Sequence, residues 1–301
     1  MNLPPDFITR ITATFPEGAD WLERLPGLIA EAARRWDLEP GPAVPGLSYN
    51  YVTTARRRDG TECILKIGVP NRELTSEIAA LRLYNGEGAC RLYEADAETG
   101  MLVLERLRPG RMLHLHGTDE EQTAIAARVM KRLWRPAPAD EPLITLKGWF
   151  DELKKLRPGF GGGTGPFPKK LVEAAESLLP DLFADTKAPV VLHGDCHNFN
   201  ILSSERGWLV IDPKGVIGAA EYEPAPLLLN PWDELIEYPS AVQMTERRIQ
   251  ILSEELGFGP KRLHAWAVCH SLLSAWWDLT EDGTGGEYSM ACGEMFLQVK
   301  A

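Results

Sequence analysis

Between apolar β-type runs, residues 190–202 read VVLHGDCHNFNIL, and LVIDPKG follows at 209–215. A string this polar beside apolar strands needs a partner for every donor and charge it buries. On an extended segment His193, Asp195 and His197 point to one side, which by itself suits a metal-binding triplet. Such a site needs further ligands, and His114, His116, His264 and His270 supply no companion motif. At 301 residues the chain has length for two domains of about 150 residues each.

Composition narrows the class. With 44% hydrophobic and 25% charged residues the chain sits among ordinary folded proteins. Its net charge of −11 excludes a general nucleic-acid binder, which needs surplus Lys and Arg, and favours a neutral or cationic small-molecule partner. Cys63, Cys90, Cys196, Cys269 and Cys292 are scattered and form no CxxC. Neither a disulfide framework nor a zinc site is signalled, and a reducing cytoplasm is expected. No run approaches the ~18 apolar residues of a membrane span, and the first residues lack a basic leader. The sequence specifies no oligomeric state.

Residues 1–40 read as a helical preface, with Asp20 placed to cap WLERLPGLIAEAARRW and Pro26 expected to kink or restart it. Between 44 and 69 the period shifts to two. SYNYVTTA and TECILKIG flank the turn RRRDG, an antiparallel hairpin that ends near Lys66. A helix over 73–84, a strand at 90–94 and another in MLVLERL follow. Beyond Gly110 the pattern turns helical: Thr118 and Glu121 form a capping box, and Ile125, Val129 and Leu133 recur at helical spacing. RPGFGGGTGPFP at 157–168 lacks GxxxxGK[ST] and reads as a plain loop. Helices are expected near 170–179, 241–258 and 260–279, the last with Leu263, Trp266, Ala267, His270 and Trp277 in one stripe.

Phosphoryl transfer calls for a carboxylate to orient and deprotonate an attacking hydroxyl. It also needs an amide oxygen and a second carboxylate to hold Mg²⁺ against nucleotide phosphates. Asp195, Asn200 and Asp212 have those types, and the step from Asp195 to Asn200 matches the kinase catalytic loop HRDxxxxN. HGDCHNFNIL resembles the HGDxHxxN motif of the aminoglycoside phosphotransferase and choline kinase superfamily. With IDPKG, LERLRPG at 104–110 and LSAWWDLTEDG at 273–283, the chain resembles the streptomycin 6-phosphotransferase (aminoglycoside/hydroxyurea antibiotic resistance kinase) family over about 44–283.

The resemblance implies an α+β, two-lobed protein-kinase-like fold: an N-terminal lobe over 1–106 with an antiparallel sheet and a helix, and a larger, mainly helical lobe over 107–301. It implies ATP and Mg²⁺, with Asp195 as catalytic base, Asn200 and Asp212 as metal ligands, and Lys66 on the α- and β-phosphates. Glu77 is the favoured partner of Lys66, with Glu73 one turn away as the alternative. His197 stands where protein kinases place a phosphate-directed lysine. Ser48, Tyr49 and Asn50 offer backbone N–H groups to phosphate, although no GxGxxG precedes Lys66. Glu105 and Leu107 fall in the interlobe hinge, whose backbone would meet adenine. Lys214 either neutralises phosphate or caps its turn, and Cys196 reads as a buried thiol.

Residues 221–301 hold 13 Asp/Glu against 5 Lys/Arg, eight of the eleven net negative charges. In the resembled fold this region lines the acceptor site. Asp278, Glu281 and Asp282 oppose the dipole at a helix end, so a polycation such as streptomycin suits them. Trp266, Trp276 and Trp277 read as core. The expected activity is ATP-dependent phosphorylation of an aminoglycoside hydroxyl. The alternatives are a kinase for a sugar, choline-like or homoserine-like metabolite, a nucleotide-binding protein without catalysis, and a metal-dependent hydrolase built on His193, Asp195 and His197.

Overall fold

The computed structural model describes residues 3–300 apart from 140, 187, 232–233 and 283–284; of 281 and 282 it describes the backbone alone. Helices α1 (Pro5–Thr14) and α2 (Gly18–Arg35) precede strands β1 (Leu38–Ala43), β2 (Asn50–Arg57) and β3 (Glu62–Gly68). Helix α3 (Arg72–Tyr84) and strands β4 (Leu92–Asp96) and β5 (Met101–Glu105) follow. The strands form one antiparallel sheet in the order β1-β2-β3-β5-β4.

The central strands are covered on both faces, which is why ECILKIG and MLVLE show little polar alternation. Cys63, Leu65, Ile67, Met101 and Val103 pack against Phe7, Ile11, Trp21, Leu25 and Leu28 of the helical preface. Leu102 and Leu104 face the other way, into the core that α3 shares with the second lobe. The strand period of two therefore puts Lys66 on that second face, toward α3.

The preface holds more structure than its sequence suggests. Helix α1 lies within the expected helical preface as a separate element, and Glu17 rather than Asp20 occupies the cap position of α2. Helix α2 runs on through Pro26, held by its buried stripe of Trp21, Leu25, Leu28 and Ala32. Residues 38–43 leave the helix for an edge strand, a position where Pro40 and Pro42 are tolerated.

The second lobe contains β6 (Pro109–Met112), α4 (Asp119–Leu133), β7 (Arg135–Pro136), β8 (Ile144–Thr145), α5 (Leu146–Asp151), α6 (Leu156–Gly159) and α7 (Lys169–Ala184). After these come β9 (Val190–Leu192), β10 (Ile201–Ser204), β11 (Gly207–Val210), β12 (Val216–Gly218) and α8 (Ala225–Leu228). Helices α9 (Ala241–Leu256), α10 (Pro260–Asp282) and α11 (Glu287–Phe296) close the chain. The capping box of Thr118 and Glu121 starts α4. Two small sheets, β11-β10-β6 and β7-β9-β12-β8, carry the polar string between β9 and β10. That string is a loop, because Gly194 at φ 84° turns the chain away from the extended form. Helix α10 is enclosed by α7, α8, α9 and α11, so it is apolar nearly all round and its stripe is blurred.

Leu25 is fully buried between the preface and the sheet. Leu25→Ala should therefore cost about 2–5 kcal/mol, read as a lower urea midpoint. An unchanged midpoint would mean that the preface is no part of the cooperative unit.

Candidate active site

A cavity of about 700 Å³ gathers residues distant in sequence. Ser48, Tyr49, Asn50, Lys66, Glu73 and Glu77 line it from the first lobe. Asp195, His197, Asp212 and Lys214 line it from the second, with His270, Ser274, Trp277 and Asp278 of α10 forming a wall. Thr14 and Phe15, at the end of α1, also reach it.

Lys66 Nζ lies 2.7 Å from both carboxylate oxygens of Glu77 and also bonds Asp212 Oδ1. Lys66 pairs with Glu77, whereas Glu73 sits 3.4 Å from Lys214 Nζ. Burial works against the Lys66 ammonium, but Asp212 and Glu77 outweigh it and raise the pKa, so the charge is retained. Lys66 in turn holds the Asp212 carboxyl well below its usual range. Asp212 has φ 59°, a left-handed conformation that costs a non-glycine residue about 1 kcal/mol or more. The surrounding turn enforces it. Ser76 of α3 donates its hydroxyl to the Gly215 carbonyl at 2.5 Å and accepts the Ile144 N–H at 3.0 Å. A Cβ on Gly215, φ 67°, would fall 2.4 Å from the Ser76 carbonyl oxygen, so only glycine lets α3 come this close.

The loop bearing Asp195 hangs on Glu223, which is fully buried. Its carboxyl oxygens accept the N–H groups of His193 at 2.8 Å and Gly194 at 3.0 Å. His193 Nδ1 accepts the Asp195 N–H at 3.2 Å, and Nε2 meets the Ile211 carbonyl at 2.9 Å. With both nitrogens engaged, His193 cannot join Asp195 and His197 as a metal ligand. Among the described residues no group of three or more His, Cys, Asp or Glu is placed to hold a metal ion. The shared face on which the hydrolase alternative rested is therefore not formed, because His193 is committed to the loop.

Burial alone would raise the Asp195 carboxyl, but His197 and Lys214 outweigh it and bring it down to about 2. His197 Nε2 is 3.5 Å from Asp195 Oδ1 and 3.2 Å from Asn200 Nδ2. Asn200 also donates to the Asp195 carbonyl at 3.0 Å, a bond that uses its amide N–H and not its oxygen. The side chains of Asp212 and Asp195 are 44% and 35% exposed. Asn200 and Asp212 offer oxygen donors, the kind that suits Mg²⁺ better than zinc, but of the two Asp212 alone lines the cavity. Cys196 is sealed, and burial pushes its thiol far above the ordinary value.

Some expected residues lie elsewhere. Glu105 and Leu107 do not line the cavity. The Glu105 carboxylate bonds Arg206 and the Arg91 N–H, and Leu107 is core. Asp278 lines the cavity and accepts a hydrogen bond from Ser289 at 3.4 Å, while the side chains of Glu281 and Asp282 lie outside the described residues. Trp266 and Trp276 are core as expected, but Trp277 lines the cavity edge-on to Trp149 at 5.1 Å. Glu223 and Trp149 escaped the sequence reading because neither sits in a recognisable spacing.

Residues 35–283 match the family described as aminoglycoside/hydroxyurea antibiotic resistance kinase. The chain belongs to that family. The streptomycin 6-kinase of Streptomyces glaucescens is 31% identical over 274 residues, 89% of this chain and 87% of that one. The hydroxyurea phosphotransferase of Kitasatospora aureofaciens is 34% identical over 291 residues, 93% and 81% of the two chains. Among solved structures, the choline kinase LicA from Streptococcus pneumoniae has a TM-score of 0.62 at 18% identity, covering 91% of this chain and 98% of that one. An aminoglycoside phosphotransferase in a ternary complex with ADP and hygromycin B has a TM-score of 0.61 at 11% identity, covering 90% and 98%. These similarities establish the two-lobed α+β kinase-like fold. This antibiotic-resistance kinase is a phosphotransferase with an alcohol group as acceptor.

The buried groups of this kinase set its pH response. Burial pushes His193 and His270 from 6.5 down to about 4, so between those values the unfolded chain binds protons that the folded chain refuses. Each histidine thus withdraws stability as pH falls through that window. Glu223, raised by burial from 4.5 to about 7, acts in the opposite direction. Glu77, which burial also raises, joins Glu223 on that side, so the histidine contribution shows only by difference. Between pH 6.5 and 4.5 the melting midpoint of His270→Gln should fall less, or rise more, than that of wild type. Parallel profiles for the two proteins would contradict this.

Proposed function

We propose that this kinase transfers the γ-phosphoryl group of ATP to a hydroxyl of a small cationic acceptor, streptomycin or a related aminoglycoside, with Mg²⁺ as cofactor. The observation that carries the reading is the meeting of ionised Asp195 with the Lys66–Asp212 pair in a cavity whose far wall bears Trp277 and Asp278. The names of the relatives, streptomycin 6-kinase and hydroxyurea phosphotransferase, support it.

Lys66, kept cationic, presents its ammonium to the α- and β-phosphates, while the N–H groups of residues 48–50 cover them. Mg²⁺ held by Asn200 and Asp212 would neutralise charge on the phosphate oxygens. Asp195 accepts a hydrogen bond from the acceptor hydroxyl and aims its oxygen at the γ-phosphorus. With its carboxyl near 2, Asp195 is a weak base, so the proton moves late, as the new O–P bond forms and the bond to ADP breaks. His197 and Lys214 beside Asp195 offset the negative charge that gathers there. On the acceptor side, Trp149 and Trp277 offer aromatic surface and Asp278 a carboxylate, a combination that suits a guanidinium.

In this reading adenine meets the backbone of residues 105–107, between lobes spanning 1–106 and 107–301. The cytoplasm is the proposed compartment, which the five free, buried cysteines suit. No helix among the described residues is long and apolar enough to cross a membrane.

The test is ATP consumption with streptomycin, other aminoglycosides, hydroxyurea, choline, homoserine and sugars. Streptomycin should stimulate turnover, chelation of Mg²⁺ should stop it, and Asp195→Ala should lower kcat by about 10²–10⁴-fold. Turnover with choline, homoserine or a sugar alone would make the protein a metabolite kinase, and turnover with hydroxyurea alone would replace the cationic acceptor. ATP binding without any turnover would leave a nucleotide-binding protein.

A further inference from the structure

The α10 wall of the cavity contains a polar group that the fold orients through one of its two ring nitrogens. His270 is 7% exposed and lines the cavity on the same helix as Ser274, Trp277 and Asp278. Its Nδ1 lies 2.9 Å from the Tyr222 hydroxyl. Tyr222 is fully buried, and burial pushes its phenol far above the ordinary value, so the hydroxyl keeps its proton. Among the described residues His270 is the partner that this hydroxyl has. A buried O–H that fails to donate costs more than an unused lone pair on an imidazole, so Tyr222 donates to Nδ1.

The imidazole proton then sits on Nε2. No hydrogen bond of that nitrogen is found among the described residues, and His270 lines the cavity. The ring is fixed between Tyr222 and Trp277, both edge-on, with centroids 5.5 Å and 6.5 Å away. Burial pushes the imidazole down to about 4, so it is neutral near pH 7 and does not repel a cation. It is also close enough to feel the charges of Asp195 and His197.

We propose that His270 is a substrate-binding residue of the acceptor site, whose Nε2–H donates to an oxygen of the acceptor beside the reacting hydroxyl and turns that hydroxyl toward Asp195. The inference rests on the phosphotransferase reading above and narrows its substrate class. A polyhydroxylated ring offers a neighbouring oxygen, whereas a simple alcohol such as choline has none. Unlike Asp278, which attracts a cation, His270 selects for oxygen.

Steady-state kinetics on His270→Leu, His270→Gln and Tyr222→Phe test it, with streptomycin as the varied acceptor. His270→Leu should raise the acceptor KM about tenfold and leave the ATP KM unchanged. His270→Gln, whose amide N–H reaches toward the Nε2 position, should recover most of that loss. Tyr222→Phe frees the proton to shift to Nδ1, and should raise the acceptor KM in the same direction without truncating the core. An acceptor KM within twofold of wild type in His270→Leu, with wild-type turnover intact, would overturn this inference alone. So would equal increases in both KM values that His270→Gln fails to reverse, since these would mark a merely structural role. Wild-type protein that neither binds nor phosphorylates streptomycin would remove the underlying function, and this inference with it.

Discussion

Lys66, buried between Glu77 and Asp212, is the interaction on which the site depends. A lone ammonium at that depth would lose its proton or force the fold open. Two carboxylates keep it charged, and they come from different parts of the chain: Glu77 from the helix behind the sheet, Asp212 from the turn after β11. The cluster ties the two lobes together, and in the proposed function it fixes where a phosphate chain would lie. The Ser76–Gly215 contact supports it, holding α3 against the same turn that keeps Asp212 in its left-handed conformation. Removing one charge of the cluster leaves the others uncompensated, so its effect on binding and stability should exceed that of a surface ion pair.

The second support is neutral in character. Glu223 gathers two loop N–H groups, and His193 uses both ring nitrogens to hold Asp195 and Ile211. This leaves Asp195 as the open carboxylate of its loop. The lobe linkage and the loop scaffold are thus separate devices, one electrostatic and one built from backbone hydrogen bonds, that converge on a single cavity.

Much of this was legible from residues whose role is local. The Asp195 to Asn200 spacing, the Asp59-Gly60 hairpin and the Thr118–Glu121 capping box each depend on neighbours in sequence. Lys66 and Glu77 were legible through the family resemblance, which left Glu73 as the alternative until the structure paired Lys66 with Glu77. The rest depends on contacts that no local pattern encodes. Glu223 acts on a backbone some thirty residues away. Strand β1 carries two prolines, which argue against a strand unless its edge position is known. The single face expected for His193, Asp195 and His197 failed at one residue, Gly194, whose positive φ ends the strand. His270 looked like one more member of a core stripe, because enclosure of α10 hides which of its faces meets the cavity.

The most direct measurement is calorimetric titration of ATP into wild-type protein and Asp212→Asn, with and without Mg²⁺. The account predicts tight binding by wild type only with Mg²⁺, and a Mg²⁺-dependent gain that is lost in Asp212→Asn. An unchanged Mg²⁺ dependence in the variant would contradict the role given to the Lys66–Asp212 pair at the centre of the site.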